Sequence, residues 1–127
     1  MVKKKVLFIC TNNSVRSQMA EVILRSLYNS KYEVFSAGIQ PTSINHIAIK
    51  VMREIGIDIS KQKSKSIEKY RGQIFDIVVT VCDTARETCP FFSGKKIIHK
   101  SFEDPRENIN SFRKTRNKIK EWIKEKV

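Results

Sequence analysis

A cysteine and an arginine separated by five residues stand near the start of the chain, between an apolar run and a helical pattern. Cys10 follows the apolar residues 6–9, and Arg16 precedes the helical pattern. Backbone N–H groups at the start of a helix attract anions, and the N–H groups of a curled loop add to that attraction. The planar guanidinium of Arg16 can bind two oxygens of a tetrahedral oxyanion. These residue types and their spacing predict an oxyanion cradle with a nucleophile at its base.

The same cradle favours a reactive thiol at Cys10. A positive local field stabilises the thiolate, which is the nucleophilic form of cysteine, and Ser17 is placed to donate a hydrogen bond to it. Asn13 is expected to hold the shape of the loop, and either Asn12 or Asn13 can adopt a positive φ. The alternative is a buried, inert thiol beside a surface arginine. The position at the carboxyl end of a strand, where open α/β sheets bind ligands, favours the cradle.

Residues 8–21, FICTNNSVRSQMAE, resemble the signature loop of the low-molecular-weight protein tyrosine phosphatase superfamily. They look most like the thioredoxin-coupled arsenate reductases within it, and the resemblance spans nearly the whole chain. It implies an α/β fold whose sheet has the strand order 2-1-3-4. It also implies that the oxyanion is bound by the loop residues Thr11, Asn12, Asn13, Ser14, Val15, Arg16 and Ser17.

Hydrophobic periodicity independently predicts an α/β domain. The expected strands cover residues 6–9, 32–37, 76–81 and 96–99, and the expected helices cover residues 17–27, 66–70 and 108–126. A further helix is expected to be capped by Thr42 or Ser43 and to stop at Gly56. Strands that alternate with helices imply a parallel sheet with helices on both faces. We therefore expect residues 1–127 to form a single domain.

Composition and charge narrow the possible partners. The chain of 127 residues carries a formal net charge of +12, which favours anionic substrates or partners. Specific nucleic-acid binding is not favoured, since neither a recognised module nor an aromatic platform is present. No apolar run approaches a membrane span, and the N-terminal apolar run is too short for a signal peptide. These features predict a cytoplasmic protein, where three cysteines indicate catalytic or redox use rather than structural disulfides.

Two later cysteines decide between related activities. Cys82 directly follows the strongest strand, so it is expected at the same sheet edge as Cys10, and Cys89 lies further along. Spacing alone leaves open whether Cys82 and Cys89 are a redox pair or unrelated thiols. The resemblance matches both to the resolving cysteines of arsenate reductases. It thereby implies a Cys10–Cys82 disulfide, then a Cys82–Cys89 disulfide that thioredoxin reduces.

An aspartate before a proline supplies a candidate general acid. A carboxyl group in a loop near the cradle can protonate a leaving oxygen, and the resemblance assigns this role to Asp104, which precedes Pro105. The alternative is an ordinary Asp-Pro turn. Phosphatases of the superfamily usually carry an aromatic residue after this pair, to line a slot for a phenyl ring. Arg106 stands there in this chain, which argues against a phosphotyrosine slot.

The chain also departs from its relatives beside the loop. Asn12 replaces a glycine that is usual in the family, which predicts a stiffer loop. Some relatives bind potassium through residues that correspond here to Asn13, Glu21, Ser36 and a carboxylate. Lys65 occupies the carboxylate position, and its ammonium could replace the cation. We therefore predict no potassium requirement, no metal site and no cofactor, and we expect His46 and His99 to be structural.

Three functions fit these observations. The first is a thioredoxin-coupled arsenate reductase, acting as a monomer on arsenate. The second is a phosphatase that uses Cys10, Arg16 and Asp104, with the other thiols protecting Cys10. The third is a basic protein that binds a phosphorylated partner without catalysis. Arsenate and phosphate share shape and charge, so weak phosphatase activity is expected even from a reductase.

Overall fold

The computed structural model describes residues 3–81, 94–106 and 108–126. Its strands are β1 (Lys4–Cys10), β2 (Tyr32–Gly38), β3 (Phe75–Thr80) and β4 (Gly94–His99). Its α-helices are α1 (Arg16–Tyr28), α2 (His46–Arg53) and α3 (Ile109–Lys126), and a short 3₁₀ helix covers Ile67–Tyr70. All strand pairs are parallel, and the sheet order is β2-β1-β3-β4. The predicted α/β fold and its strand order are confirmed.

The central strand β1 brings the cysteine to the functional edge of the sheet. Its apolar run is buried because β2 and β3 flank it and helices cover the sheet, and Leu7 and Ile9 have no exposed surface. The register sets Cys10 opposite Gly38 of β2 and Ile9 opposite Thr80 of β3. The carboxyl ends of three strands therefore meet where the cradle loop begins.

Helix α2 begins later than the predicted caps. Asn45, rather than Thr42 or Ser43, caps the helix, and its side-chain oxygen accepts hydrogen bonds from the N–H groups of Ile47 and Ala48. The backbone N–H groups of Thr42 and Asn45 both donate to carbonyls of the cradle loop, at Asn12 and Ser14, which keeps the chain before Asn45 against that loop. Residues 39–45 thus run along that loop before the helix starts.

Helix α3 packs against α1 and α2 through one apolar stripe. Phe112, Ile119 and Ile123 are buried, as the helical spacing predicts. Among the basic side chains of this helix, that of Arg116 is buried and only 8% exposed. Its guanidinium donates to the carbonyl of Val51 and to the carboxylate of Glu54, at 2.8 Å each. This contact joins the end of α2 to α3. Among the described residues, no helix is long and apolar enough to cross a membrane.

The Glu54 cluster predicts a stability change in acid. Hydrogen bonds from Arg113 and then Arg116 lower the pKa of Glu54 from 4.5 to about 2. A carboxylate with a lowered folded-state pKa stabilises the fold fully above its unfolded pKa, and the effect is lost as pH falls through the folded value. The free energy of unfolding of wild type should therefore exceed that of Glu54→Gln by a constant amount above pH ~4.5, and the difference should shrink towards pH ~2. Urea denaturation at several pH values measures this; a difference independent of pH would contradict it.

Candidate active site

The cradle loop surrounds the sulfur of Cys10 with hydrogen-bond donors. Cys10 is buried, and its Sγ accepts a hydrogen bond from the backbone N–H of Asn13 at 3.3 Å. The hydroxyl oxygen of Ser17 lies 2.9 Å from the same sulfur. Asn13 has a φ of 52°, a left-handed conformation that asparagine tolerates better than most residues. This φ agrees with the expectation that Asn12 or Asn13 adopts a positive φ in the loop.

The side-chain amide of Asn13 orients two hydroxyl groups. Its Nδ2 donates to Ser17 Oγ at 2.8 Å and to Ser36 Oγ at 3.0 Å. Ser36 in turn donates to the carboxylate of Glu21, which can only accept when ionised. Ser17 already receives a hydrogen on its oxygen, so its own hydrogen can turn to Cys10. Two donors then converge on the sulfur that is predicted to be the nucleophile.

The outer side of the loop is held by the segment that follows β2. Backbone N–H groups of residues 39–45 donate to carbonyls of the loop, with the pairs Ile39 to Cys10, Gln40 to Thr11, Thr42 to Asn12 and Asn45 to Ser14. The Asn12 side chain adds a bond from Nδ2 to the carbonyl of Gln40 at 3.0 Å. These bonds direct loop carbonyls away from the cradle. The Asn12 side chain adds a link between the loop and residues 39–45, which agrees with the stiffer loop expected from its sequence.

Gly38 gives the loop the space that it occupies. A Cβ atom on Gly38 would lie 2.8 Å from the backbone nitrogen of Asn13 and 2.9 Å from the carbonyl carbon of Asn12. These are backbone atoms, so no side-chain rotation could relieve the contact. The close approach of β2 to the loop therefore depends on glycine at this position.

A second segment, residues 62–65, covers Asn13 from the other side. The Ser64 hydroxyl donates to the carbonyl of Asn13, and the Lys65 N–H donates to its side-chain oxygen, at 2.8 Å each. Gln18, which is fully buried on α1, donates from Nε2 to the carbonyl and the side-chain oxygen of Asn13 and to the carbonyl of Lys63. Sequence reasoning missed Gln18 and Ser64; the available signal was a polar residue within the buried stripe of α1.

Lys65 places its ammonium beside the buried carboxylate of Glu21. Lys65 Nζ lies 3.5 Å from Glu21 Oε1 and donates to the carbonyl of Lys63 at 3.0 Å. Burial lowers the pKa of Lys65, and the Glu21 carboxylate opposes that shift. Arg25 binds the other oxygen of Glu21. Two cations thus neutralise the carboxylate next to Ser36. Among the described residues, no three His, Cys, Asp or Glu side chains form a possible metal-binding group.

We predict that potassium does not activate this protein. The rate of the reaction that Cys10 is predicted to perform should be equal in potassium chloride and sodium chloride at the same ionic strength. The reason is that the Lys65 ammonium already lies beside the Glu21 carboxylate. Lys65→Met should lower the free energy of unfolding by about 2 kcal/mol, since a charged hydrogen-bond partner is lost. Lys63→Met, whose exposed side chain leaves the carbonyl in place, is the matched control. Activation of wild type by potassium would contradict the prediction.

Arg16, the arginine of the cradle sequence, lies beside Asp104. Arg16 is the first residue of α1, and its NH1 donates to the carbonyl of Phe102 at 3.2 Å. Its NH2 lies 3.7 Å from Asp104 Oδ1, and the Asp104 side chain is 74% exposed. A mostly exposed carboxyl group beside the guanidinium is accessible to the leaving oxygen of a bound oxyanion. The predicted clamp and the predicted acid are therefore brought together.

The helix that follows the loop begins without a side-chain cap among the described residues. Val15 occupies the N-cap position of α1, and no side chain accepts a hydrogen bond from the first turn. The start of a helix attracts negative charge. An anion in the cradle would add its charge at this end, where no acidic side chain of the first turn competes.

Cys82 and Cys89 lie outside the described residues. The described chain that leads toward them passes beside the cradle, because the N–H of Val81 donates to the carbonyl of Ile9 at 2.9 Å. His99, at the end of β4, pairs through Nδ1 with the Thr80 hydroxyl at 2.8 Å. His46 is the first residue of α2. Both histidines stay structural in our interpretation.

Comparison with other sequences shows relatives over nearly the whole chain. Residues 5–125 match the model of the low molecular weight phosphotyrosine protein phosphatase family. An arsenate reductase of Halalkalibacterium halodurans is 42% identical over 132 residues, which cover 98% of this chain and 95% of that protein. Arsenate reductase 1 of Staphylococcus epidermidis is 42% identical over 126 residues, covering 97% of this chain and 95% of that one.

Solved structures give the same relationship. An arsenate reductase in the phosphate binding state superposes with a TM-score of 0.87 at 35% identity, over 96% of this chain and 95% of the other. The low molecular weight protein tyrosine phosphatase from T. tengcongensis superposes with a TM-score of 0.83 at 27% identity, over 98% of this chain and 100% of the other. The resemblance predicted from the loop is confirmed. The chain belongs to the low molecular weight phosphotyrosine protein phosphatase family and is similar, within that family, to bacterial arsenate reductases.

Proposed function

We propose that this protein reduces arsenate to arsenite, with Cys10 as the nucleophile, and that Cys82, Cys89 and thioredoxin complete the cycle. The observation that carries the proposal is the geometry of the site. Two hydrogen-bond donors contact the Cys10 sulfur, and Arg16 lies beside Asp104. Relatives at about 40% identity that are arsenate reductases support the choice of substrate. We also propose that the enzyme acts as a monomer in the cytoplasm.

The first step is a substitution at arsenic. Loop N–H groups, the start of α1 and Arg16 hold the arsenate, and the Cys10 thiolate attacks the arsenic atom. A sulfur–arsenic bond forms and an arsenic–oxygen bond breaks. The leaving hydroxide takes a proton from Asp104 and departs as water. Arsenic remains in its pentavalent state at this point, so no electrons have yet been transferred.

The next steps transfer two electrons. The Cys82 thiolate attacks the Cys10 sulfur, a disulfide forms, and the electron pair of the sulfur–arsenic bond stays on arsenic, which leaves as arsenite. The Cys89 thiolate then attacks the Cys82 sulfur and expels the Cys10 thiolate. Thioredoxin, as a dithiol, reduces the Cys82–Cys89 disulfide. Each transfer is an attack of a thiolate on sulfur and needs both reach and a deprotonated thiol.

The test is arsenite production from arsenate with thioredoxin, thioredoxin reductase and NADPH. Wild type should turn over many times, Cys89→Ser should release one arsenite per protein and stop as a Cys10–Cys82 disulfide, and Cys82→Ser should release none. Cys10→Ser is the inactive control. If Cys82→Ser and Cys89→Ser both turn over like wild type, the relay is wrong.

A second candidate function is hydrolysis of phosphate monoesters. The same thiolate could attack phosphorus, with Asp104 protonating the leaving alcohol, and water would then release phosphate from Cys10. The structural likeness to the T. tengcongensis phosphatase favours this candidate. Aryl phosphate hydrolysis that is insensitive to Cys82→Ser and Cys89→Ser, together with no arsenite, would select it. If Cys10→Ser left the biological function unchanged, a non-enzymatic binding role would be supported instead.

A further inference from the structure

The segment that carries Asp104 packs on helix α3 through Phe102 and Trp122, and cavities lie beside that contact. Cavities of about 310 and 350 Å³ lie between residues 100–106 and α3, and Phe102 and Glu103 line both. The Asp104 side chain is mostly exposed, and its contact with Arg16 is a long one. Close packing therefore does not hold the carboxyl group in place. Its position has to be set by the points where the neighbouring backbone is attached.

On the side toward the sheet, the segment is fixed at Phe102. The N–H of Phe102 donates to the carbonyl of Val81 at 3.1 Å, and its ring is buried against Trp122, with the ring centres 6.1 Å apart. This attachment lies two residues before Asp104. By itself it leaves the backbone on the other side of the aspartate unattached.

Two hydroxyl groups of α3 attach the backbone on both sides of Asp104. The Thr115 hydroxyl donates to the carbonyl of Glu103 at 3.4 Å, and the Ser111 hydroxyl accepts from the N–H of Arg106 at 2.8 Å. Residues four apart on a helix share one face, so both hydroxyls point to the same segment. Helix α3 is itself held to α2 by Arg116. The two hydroxyls thus attach the backbone around Asp104 to a fixed helix, next to the cavities.

We propose that Ser111 and Thr115 are positioning residues for the general acid. This inference rests on the proposed role of Asp104. A general acid must lie within hydrogen-bond reach of the leaving oxygen, so the fraction of time that its loop spends in place sets its contribution. Loss of the Ser111 hydroxyl removes the shorter attachment and frees the backbone after Asp104. The thiolate, the loop and Arg16 are untouched.

The expected effect is a fraction of what the acid contributes. General acids typically contribute ~10²–10⁴-fold, so a loosened acid should cost about tenfold in kcat. Ser111→Ala should show this loss with little change in KM, and Thr115→Val a smaller loss, because its bond is longer. Ser111→Thr, which keeps a hydroxyl, should retain activity. Lys124→Ala, on the exposed last turn of α3, is the control for helix substitutions.

The decisive experiment is a double-mutant cycle with Asp104→Asn. Arsenate reduction and the hydrolysis of aryl phosphates with good and poor leaving groups are measured for each variant. If Ser111 acts through Asp104, Ser111→Ala lowers kcat in wild type, most strongly for poor leaving groups, and has no further effect in Asp104→Asn. Equal losses in both backgrounds, equal losses for all leaving groups, or no loss at all would overturn the inference.

The same cycle separates this inference from the proposed function. If Asp104→Asn lowers activity, and Ser111→Ala lowers it by the same factor in wild type and in Asp104→Asn, only the positioning role fails. If Asp104→Asn keeps wild-type activity, the assignment of the acid fails and the positioning role fails with it. A protein that is inactive on both substrates would remove the proposed function and this inference together.

Discussion

Replacing Asn13 by alanine is expected to lower the free energy of unfolding by about 3 kcal/mol and kcat/KM for arsenate by about 10²-fold. Two losses add in stability. Alanine in the left-handed conformation costs ~1–2 kcal/mol, and Gln18 and the Lys65 N–H lose a buried acceptor, at ~1–3 kcal/mol for an unsatisfied group. Activity falls because Ser17 and Ser36 are no longer oriented by one amide. Urea denaturation and steady-state kinetics with thioredoxin measure the two effects.

Asn13→Gly separates backbone conformation from side-chain chemistry. Glycine adopts positive φ without strain, so this variant should recover the conformational part of the stability while keeping the defect in kcat/KM. The thiolate would still receive the backbone N–H of residue 13 but not an oriented Ser17. If Asn13→Gly were as active as wild type, the amide would have no part in activating Cys10.

Gly38→Ala is expected to lower kcat/KM by about 10²-fold as well, through displacement of the cradle loop. A new Cβ at 2.8–2.9 Å from backbone atoms of Asn12 and Asn13 forces β2 and the loop apart. A misplacement approaching 1 Å at a reacting group costs ~10²-fold, and overpacking typically destabilises by ~1–3 kcal/mol. The measurement is arsenite formation together with urea denaturation.

Gly56→Ala is the matched control for this substitution. Gly56 has a φ of 81° and open space around the position of a Cβ, and it lies beyond the end of α2. The alanine there should cost stability through its conformation alone and leave kcat/KM unchanged. If Gly38→Ala lost no more activity than Gly56→Ala, steric displacement of the loop would be excluded.

The strand, loop and helix around Cys10 could be predicted because their signals are local. The apolar run before Cys10, the loop and the helical stripe after it follow one another in the chain, so their succession is evident from adjacent residues, whereas the order of the strands in the sheet was implied only by the family resemblance. The cap of α2 could not be predicted in the same way. Thr42, Ser43 and Asn45 are all good capping residues, so their types do not decide among them. The start of the helix depends on the contact of residues 39–45 with the distant cradle loop, to which Thr42 and Asn45 donate their N–H groups.

The polar surroundings of the loop were predictable only in part. From their positions in the loop, Asn13 was expected to hold its shape and Ser17 to donate to Cys10, whereas Gln18 looks like any polar residue in a helix. Its burial results from residues 62–65, far away in sequence. The burial of Arg116 was not predictable for a similar reason, since helical periodicity cannot reveal that Glu54, at the end of α2, accepts a hydrogen bond from its guanidinium.

The side chain of Asn13 bonds to groups from α1, β2 and residues 62–65. This bears on any attempt to transfer the cradle loop to another protein. The peptide from Cys10 to Ser17 carries only part of the information for its own shape. A graft that omitted Ser36, Gln18 or Lys65 would leave the Asn13 side-chain amide without one of its hydrogen-bond partners. A transferable cradle therefore consists of the loop together with these positions, which are dispersed along the chain and have to be transferred together.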